Sequence, residues 1–154
     1  MIPSPLASRP SPLPFALLAL LLLLLAACGA PATPVVSPAI ATPDLATTRT
    51  TDQGRFVAAY TSDLQPPAIN KVHGWTLDIT TPDGSPVNGA EIAVEGGMPV
   101  HNHGLPTTPQ VSAAGDGRYR VEGIKYQMPG EWDVTVRVDA GGVHDEVTFH
   151  LLLP

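Results

Sequence analysis

Short runs of alternating apolar and polar residues dominate the chain from Gly54 onward. Between residues 72 and 80, Trp75, Leu77 and Ile79 share one side of an extended chain and polar residues occupy the other. Similar runs span residues 56–61, 90–95, 110–113, 118–122, 131–138 and 143–153. Alternation with a period of two is typical of β-strands that bury one face. The pattern therefore predicts an all-β domain over residues 54–154.

Turn-forming residues separate these runs. The segments Pro82–Pro86, Gly115–Gly117 and Gly141–Gly142 are rich in Pro, Asp and Gly, which favour tight reversals of the chain. No run after residue 54 shows a helical period. About seven short strands in roughly a hundred residues are typical of an immunoglobulin-like antiparallel β-sandwich.

The front of the chain has a different character. Residues 15–27 form an apolar run that ends at Cys28; a bilayer span needs about 20 residues, and this run has the length of a signal-peptide core. The sequence LAACG at residues 25–29 resembles the lipobox of bacterial lipoproteins. That resemblance implies a signal peptide at 1–27, a lipidated Cys28, and an exported protein anchored to the outer face of a bacterial membrane, in the periplasm or at the cell surface. The alternative is a plain secretory signal followed by a chance cysteine.

Residues 28–53 are predicted to form a linker, because they are rich in Pro, Thr and Ala and lack apolar periodicity. The whole chain carries a formal charge of −6 and has no basic block, so nucleic acid is not an expected partner. Cys28 is the only cysteine. Its lipidation would leave no thiol for a disulfide or for a cysteine-based metal site.

Two segments carry candidate chemistry. MPVHNH spans residues 98–103, and YQMPG spans residues 126–130. Residues two apart in an extended chain project to the same side, so His101 and His103 are expected to face one ion. Thioether sulfur is a soft ligand and imidazole an intermediate one, a mixture that suits copper and especially Cu(I). We therefore predict a copper site formed by Met98, His101, His103 and Met128; the alternative is solvated loop histidines and methionines that cap the end of the sandwich.

The same segments resemble a known group of proteins. MPVHNHGLPTTPQV followed by GDGRYRVEGIKYQMPGEWDVTVRV is similar to the YtkA-like and FixH-like families of exported bacterial domains, over roughly residues 72–152. The shared pattern falls on Met98, Pro99, His101, His103, Gly104, Gly117, Tyr119, Met128, Gly130 and Trp132. The resemblance implies an immunoglobulin-like fold, and some members are associated with copper handling and cytochrome oxidase assembly. FixH proteins typically keep a membrane helix, so the lipobox places this chain nearer the YtkA-like side.

Two functional hypotheses follow. In the first, the protein is a membrane-tethered copper carrier or metal-site assembly factor that exchanges copper with an acceptor protein. Pro99 would then stiffen its loop, and Trp132 would pack beneath the site. In the second, it is a structural or protein-interaction module without metal, in which Gly117, Tyr119, Gly130 and Trp132 maintain the fold. An enzyme is not expected, because no nucleophile–base spacing, paired carboxylates or phosphate loop stands out.

Overall fold

The computed structural model describes residues 43–154. Within this range the chain forms nine strands and no helix: β1 (Thr48–Thr50), β2 (Val57–Ser62), β3 (Val72–Thr80), β4 (Glu91–Met98), β5 (His103–Gly104), β6 (Gln110–Gly115), β7 (Arg118–Lys125), β8 (Gly130–Ala140) and β9 (Val143–Leu153). They build two antiparallel sheets, in the orders β1-β2-β3-β7-β6 and β5-β4-β8-β9. The predicted all-β antiparallel sandwich is confirmed, and β1 and the two-residue β5 bring the strand count above seven.

The core lies between the two sheets. Trp75, Leu77 and Ile79 of β3 are fully buried, as the alternation predicts, and Trp132 of β8 is buried opposite them. Tyr60 stacks on Trp75 with 4.0 Å between ring centroids. Inward-facing side chains of two aligned sheets fill a layer about 10 Å thick in such folds. The strands are therefore fixed by apolar burial, and the loops that join them are gathered at the two ends of the sandwich.

The predicted linker ends too late in the chain, at residue 53. Residues 48–50, assigned to the linker, pair with β2 as strand β1. Thr51 is buried, and its hydroxyl donates a 2.6 Å hydrogen bond to the Asp145 carboxylate. Such contacts to a distant strand cannot be inferred from the polar composition of residues 48–53. The folded domain therefore begins before residue 48.

The predicted signal peptide at 1–27, Cys28 and the linker up to residue 42 lie outside the described residues. Within residues 43–154, no helix is long and apolar enough to cross a membrane.

Gly117 and Tyr119, two of the residues predicted to support the fold, lie at the start of β7. The Tyr119 hydroxyl donates to the Val87 carbonyl at 2.8 Å and accepts from the Ala90 N–H at 2.9 Å. Gly117 has φ +71°, and an added Cβ would lie 2.7 Å from the Ile79 carbonyl oxygen, so a side chain cannot be placed there without moving the backbone. Both residues lie at the opposite end of β7 from residues 126–130.

Candidate metal centre

A tight hairpin forms the first half of the site. β4 ends at Met98, β5 begins at His103, and these two residues are paired across the ladder. The N–H groups of His101 and Asn102 both donate to the Met98 carbonyl, at 3.1 and 2.9 Å. Asn102 has φ +51°, a left-handed conformation that Asn tolerates better than most residues. The four-residue loop between the strands therefore brings a thioether and two imidazoles onto one short hairpin.

The two imidazoles lie side by side, but not for the reason that their spacing predicts. The prediction assumed an extended segment, whereas His101 lies in the turn and the left-handed Asn102 reverses the chain. The rings nevertheless stack, with centroids 6.0 Å apart and planes 18° from parallel. His101 is exposed and His103 is half-buried. The turn geometry, and not the strand period, therefore makes the pair.

The second segment, residues 126–130, meets the hairpin at the same end of the sandwich. The Gln127 side-chain Nε2 lies 3.1 Å from His103 Nδ1 and donates to the Gly104 carbonyl at 3.1 Å. The ring of Trp132 is 5.9 Å from the His103 ring, and its indole N–H donates to the Met128 carbonyl at 3.0 Å. Trp132 is buried and contacts both segments; its packing beneath a metal site stays a prediction.

The two methionines occupy different surroundings. Met98 is the last residue of β4 and is only 3% exposed, so its side chain belongs to the core. Its Cε lies 3.1 Å from the position that a Cβ on Gly130 would take. Met128 lies in the loop between β7 and β8 and is 38% exposed. The pair therefore offers one thioether from the core and one from the surface.

Gln127 is a site residue that the sequence reasoning did not single out. Its carbonyl Oε1 is buried without a hydrogen-bond partner, and its amide nitrogen contacts His103 Nδ1. His103 Nδ1 is also 3.4 Å from the Gly104 carbonyl. As placed, the Gln127 amide donates to Nδ1, which leaves the ring proton of neutral His103 on Nε2. Metal binding through Nε2 needs that proton on Nδ1, and a half-turn of the Gln127 amide would then let its Oε1 accept from Nδ1. The only available signal was the position of Gln127 directly before Met128.

The donor set at this end is electrically neutral and soft. Among residues 43–154, no three His, Cys, Asp or Glu side chains converge closely enough to hold a metal ion. A metal bound at this end would therefore depend on thioether sulfur as well as imidazole. Thioether and imidazole ligands favour copper over calcium or magnesium, which require oxygen ligands.

The remaining histidines are not part of this donor set. His144 and His150 are on the outer face of the β8–β9 ladder, and their Nδ1 atoms lie 2.9 and 2.6 Å from Asp139 and Asp133. His73 is buried, and its ring centroid is 5.4 Å from that of Tyr126. Burial raises the pKa of the Tyr126 hydroxyl, so this phenol stays neutral.

Comparison with known proteins gives a family and a fold. A family model described as YtkA-like matches residues 55–137, which is more than half of the chain. The structure is similar to that of a DUF4426 family protein from Pseudomonas aeruginosa PAO1, with 13% identity and a TM-score of 0.50, covering 70% of this chain and 94% of that one. It is also similar to the ZirS C-terminal domain, with 16% identity and a TM-score of 0.36, covering 80% of this chain and 85% of that one. No curated protein matches the sequence. The first structural likeness supports the β-sandwich fold alone.

Proposed function

The chain belongs to the YtkA-like family, and on this premise we propose that it is a membrane-tethered, extracytoplasmic copper-binding carrier or metal-site assembly factor. One observation carries the proposal. The hairpin with Met98, His101 and His103 and the segment with Met128 meet at one end of the sandwich, where Gln127 contacts His103 at 3.1 Å.

The ligand chemistry favours Cu(I) as the cargo. Two thioethers and two imidazoles add no charge, and thioether sulfur binds without losing a proton. Part of the affinity would therefore persist in mildly acidic surroundings. No cysteine is needed, so oxidation to a disulfide cannot inactivate the site.

The exposure of the four side chains suggests how copper would be passed on. Met98 and His103 lie on the buried side, whereas His101 and Met128 reach solvent. An acceptor protein would replace the two exposed ligands first, while the inner pair still holds the ion. The reaction is capture and ligand exchange, with no chemical turnover.

The proposed anchor completes this function. Lipidation of Cys28 would hold the chain at the outer face of a bacterial membrane, and covalent acyl chains provide such attachment without a membrane helix. The residues between Cys28 and β1 would then act as the spacer that gives the domain its reach.

A second candidate function is a structural or protein-interaction module that binds no metal. It is favoured by the burial of Met98, which packs in the core near Gly130. In this reading the methionine is retained for packing, and the histidines are surface residues of the hairpin.

Titration with Cu(I) separates the two functions. The full chain, purified in detergent without oxygen, would compete for Cu(I) against a chromophoric chelator. The site variants are the His101→Ala/His103→Ala double substitution and Met128→Leu, which keeps the side-chain volume. The matched control is His144→Ala, which removes an exposed imidazole beside the β8–β9 turn, at the opposite end of the ladder.

We expect one-to-one binding that weakens by at least about tenfold, or about 1.4 kcal/mol, in each site variant, and that the control leaves unchanged. Absence of binding, or equal affinities in all variants, would refute the copper carrier and leave the interaction module.

A further inference from the structure

The lysines of this acidic chain are gathered in one place. Lys71 and Lys125 are its only lysines. Lys71 directly precedes β3, and Lys125 is the last residue of β7, opposite Val72 in the ladder. Within residues 43–154 neither forms an ion pair, whereas Arg49, Arg118, Arg120 and Arg137 all do. The one other cation in this range without an ion pair is Arg55, whose N–H bonds to Asp145 at the opposite end. Two uncompensated cations therefore flank an exposed valine.

The same end of the sandwich carries most of the exposed apolar surface. We call it the Met/His end, because β3 begins there, β4 and β7 end there, and the hairpin and the Met128 segment meet there. Seven large apolar side chains are exposed in the described part of the chain, and five of them belong to this end: Ile69, Val72, Val100, Met128 and Leu152. Val100, at the hairpin tip, is 79% exposed.

These residues lie at two edges of this end and in the loops between them, with Val72 on the outer face of one sheet and Leu152 on that of the other. The Asn70 N–H donates to the Tyr126 carbonyl at 2.7 Å, which ties the loop before β3 to the Met128 segment. Leu152 is paired with Glu131 near the start of β8. Exposed apolar residues that cluster at one site, instead of scattering singly, mark interaction surfaces.

The charges at this end are complementary to one another. Glu131 is exposed and has no ion pair within residues 43–154. It belongs to the β8–β9 side of the sandwich, whereas Lys71 and Lys125 belong to the β3–β7 side. A two-fold rotation places the same surface of two copies face to face. The lysines of one copy then lie opposite the glutamate of the other, with the apolar side chains between them.

We propose that the Met/His end is a head-to-head docking surface for a second copy of this chain. All 14 acidic side chains and seven of the eight basic ones lie within residues 43–154, so most approaches of two copies are repulsive. At the Met/His end the uncompensated charges attract instead. The dimer needs no metal, and it would set the two Met/His centres opposite each other.

Disulfide cross-linking in membranes of bacteria that express the full chain tests this surface. Cysteine is introduced by Val100→Cys at the Met/His end or, as a matched control, by Val143→Cys at the opposite end of the sandwich. A metal chelator is present throughout, so that copper plays no part. We expect a covalent dimer from Val100→Cys, several-fold more abundant than from Val143→Cys.

Charge reversal then tests the complementarity. Lys71→Glu/Lys125→Glu in the Val100→Cys chain should reduce the dimer to the control level, and further addition of Glu131→Lys should restore it. Equal cross-linking at both ends, indifference to charge reversal, or adducts only with proteins of other mass would overturn the proposal. A Val100→Cys thiol that forms no dimer and is shielded from water-soluble reagents would also overturn it, in favour of the lipid surface.

Discussion

Asp145 offers a direct test of how the domain holds its N-terminal segment. Its carboxylate accepts hydrogen bonds from the Thr51 hydroxyl at 2.6 Å and from the N–H groups of Gln53, Arg55 and Glu146 at 3.0, 3.1 and 2.9 Å. Burial by itself would raise the pKa of Asp145, but these hydrogen bonds outweigh burial and lower it below its ordinary value. The ionised carboxylate therefore holds residues 51–55 against β9.

Asp145→Asn keeps the shape of the side chain but replaces one acceptor oxygen with an N–H₂ donor that faces other donors. A hydrogen bond to a charged group contributes about 1.5–3 kcal/mol, and unmatched buried groups cost about 1–3 kcal/mol. We expect a loss of about 2–3 kcal/mol in the free energy of unfolding at pH 7. For a domain of about 110 residues, this corresponds to a Tm lower by roughly 10 °C.

The effect should depend on pH in a defined direction. Because the folded pKa of Asp145 is depressed, its contribution is present above the unfolded value of 3.8 and is lost as the pH falls through the lower folded value. Thermal unfolding followed by circular dichroism at pH 7 and at successively lower pH measures this. The Tm difference between wild type and Asp145→Asn should shrink below about pH 4.

The matched control is Asp139→Asn, which alters a partly exposed carboxylate on β8 beside His144. Exposed ion pairs contribute about 0–1 kcal/mol, so its Tm should stay close to that of the wild type. An Asp145→Asn protein as stable as the control, or a Tm difference that persists unchanged in acid, would refute the reasoning.

Three further predictions concern the site and its support. Gln127→Ala should weaken Cu(I) binding about tenfold or more in the chelator competition, because residues that orient a metal ligand contribute on that scale; unaltered affinity would show that this amide does not position the imidazole. Gly130→Ala should lower the free energy of unfolding by about 1–3 kcal/mol in urea titration, because φ is +115° and the new Cβ would meet the Met98 methyl group, and a neutral result would contradict that contact. Tyr119→Phe should lower the free energy of unfolding by about 1–3 kcal/mol, because it removes a hydroxyl that is hydrogen-bonded to two backbone groups. The control is Tyr60→Phe, because the Tyr60 hydroxyl forms no hydrogen bond within residues 43–154. Equal losses in the two variants would contradict this role of Tyr119.

Much of the fold could be read from local pattern. The bounds predicted for β3 and β9 coincide with the observed ones, because each strand buries one face and its period of two is written into consecutive residues. Three features could not be predicted in this way. β1 and β5 have too few residues to show a period, and the last residues of β4 include the adjacent glycines Gly96 and Gly97, which interrupt the apolar pattern.

Only part of the candidate site could be predicted from the sequence. The residue types in MPVHNH and QMPG were enough to predict soft-metal chemistry, because ligand preference depends on side-chain identity. Whether the two segments meet depends on strand order and register, which place the end of β4 beside the start of β8. The burial of Met98 and the contact of Gln127 with His103 likewise follow from packing between the sheets.

The sequence by itself therefore determined the all-β class, most of the strands and the residues capable of binding a soft metal, since these are properties of neighbouring residues. Only the tertiary structure decided which of these residues share one end of the sandwich. It also decided that the two lysines and most of the exposed apolar side chains lie at that end. Long-range pairing brings together residues as far apart in the chain as Thr51 and Asp145, and no local pattern records such pairs.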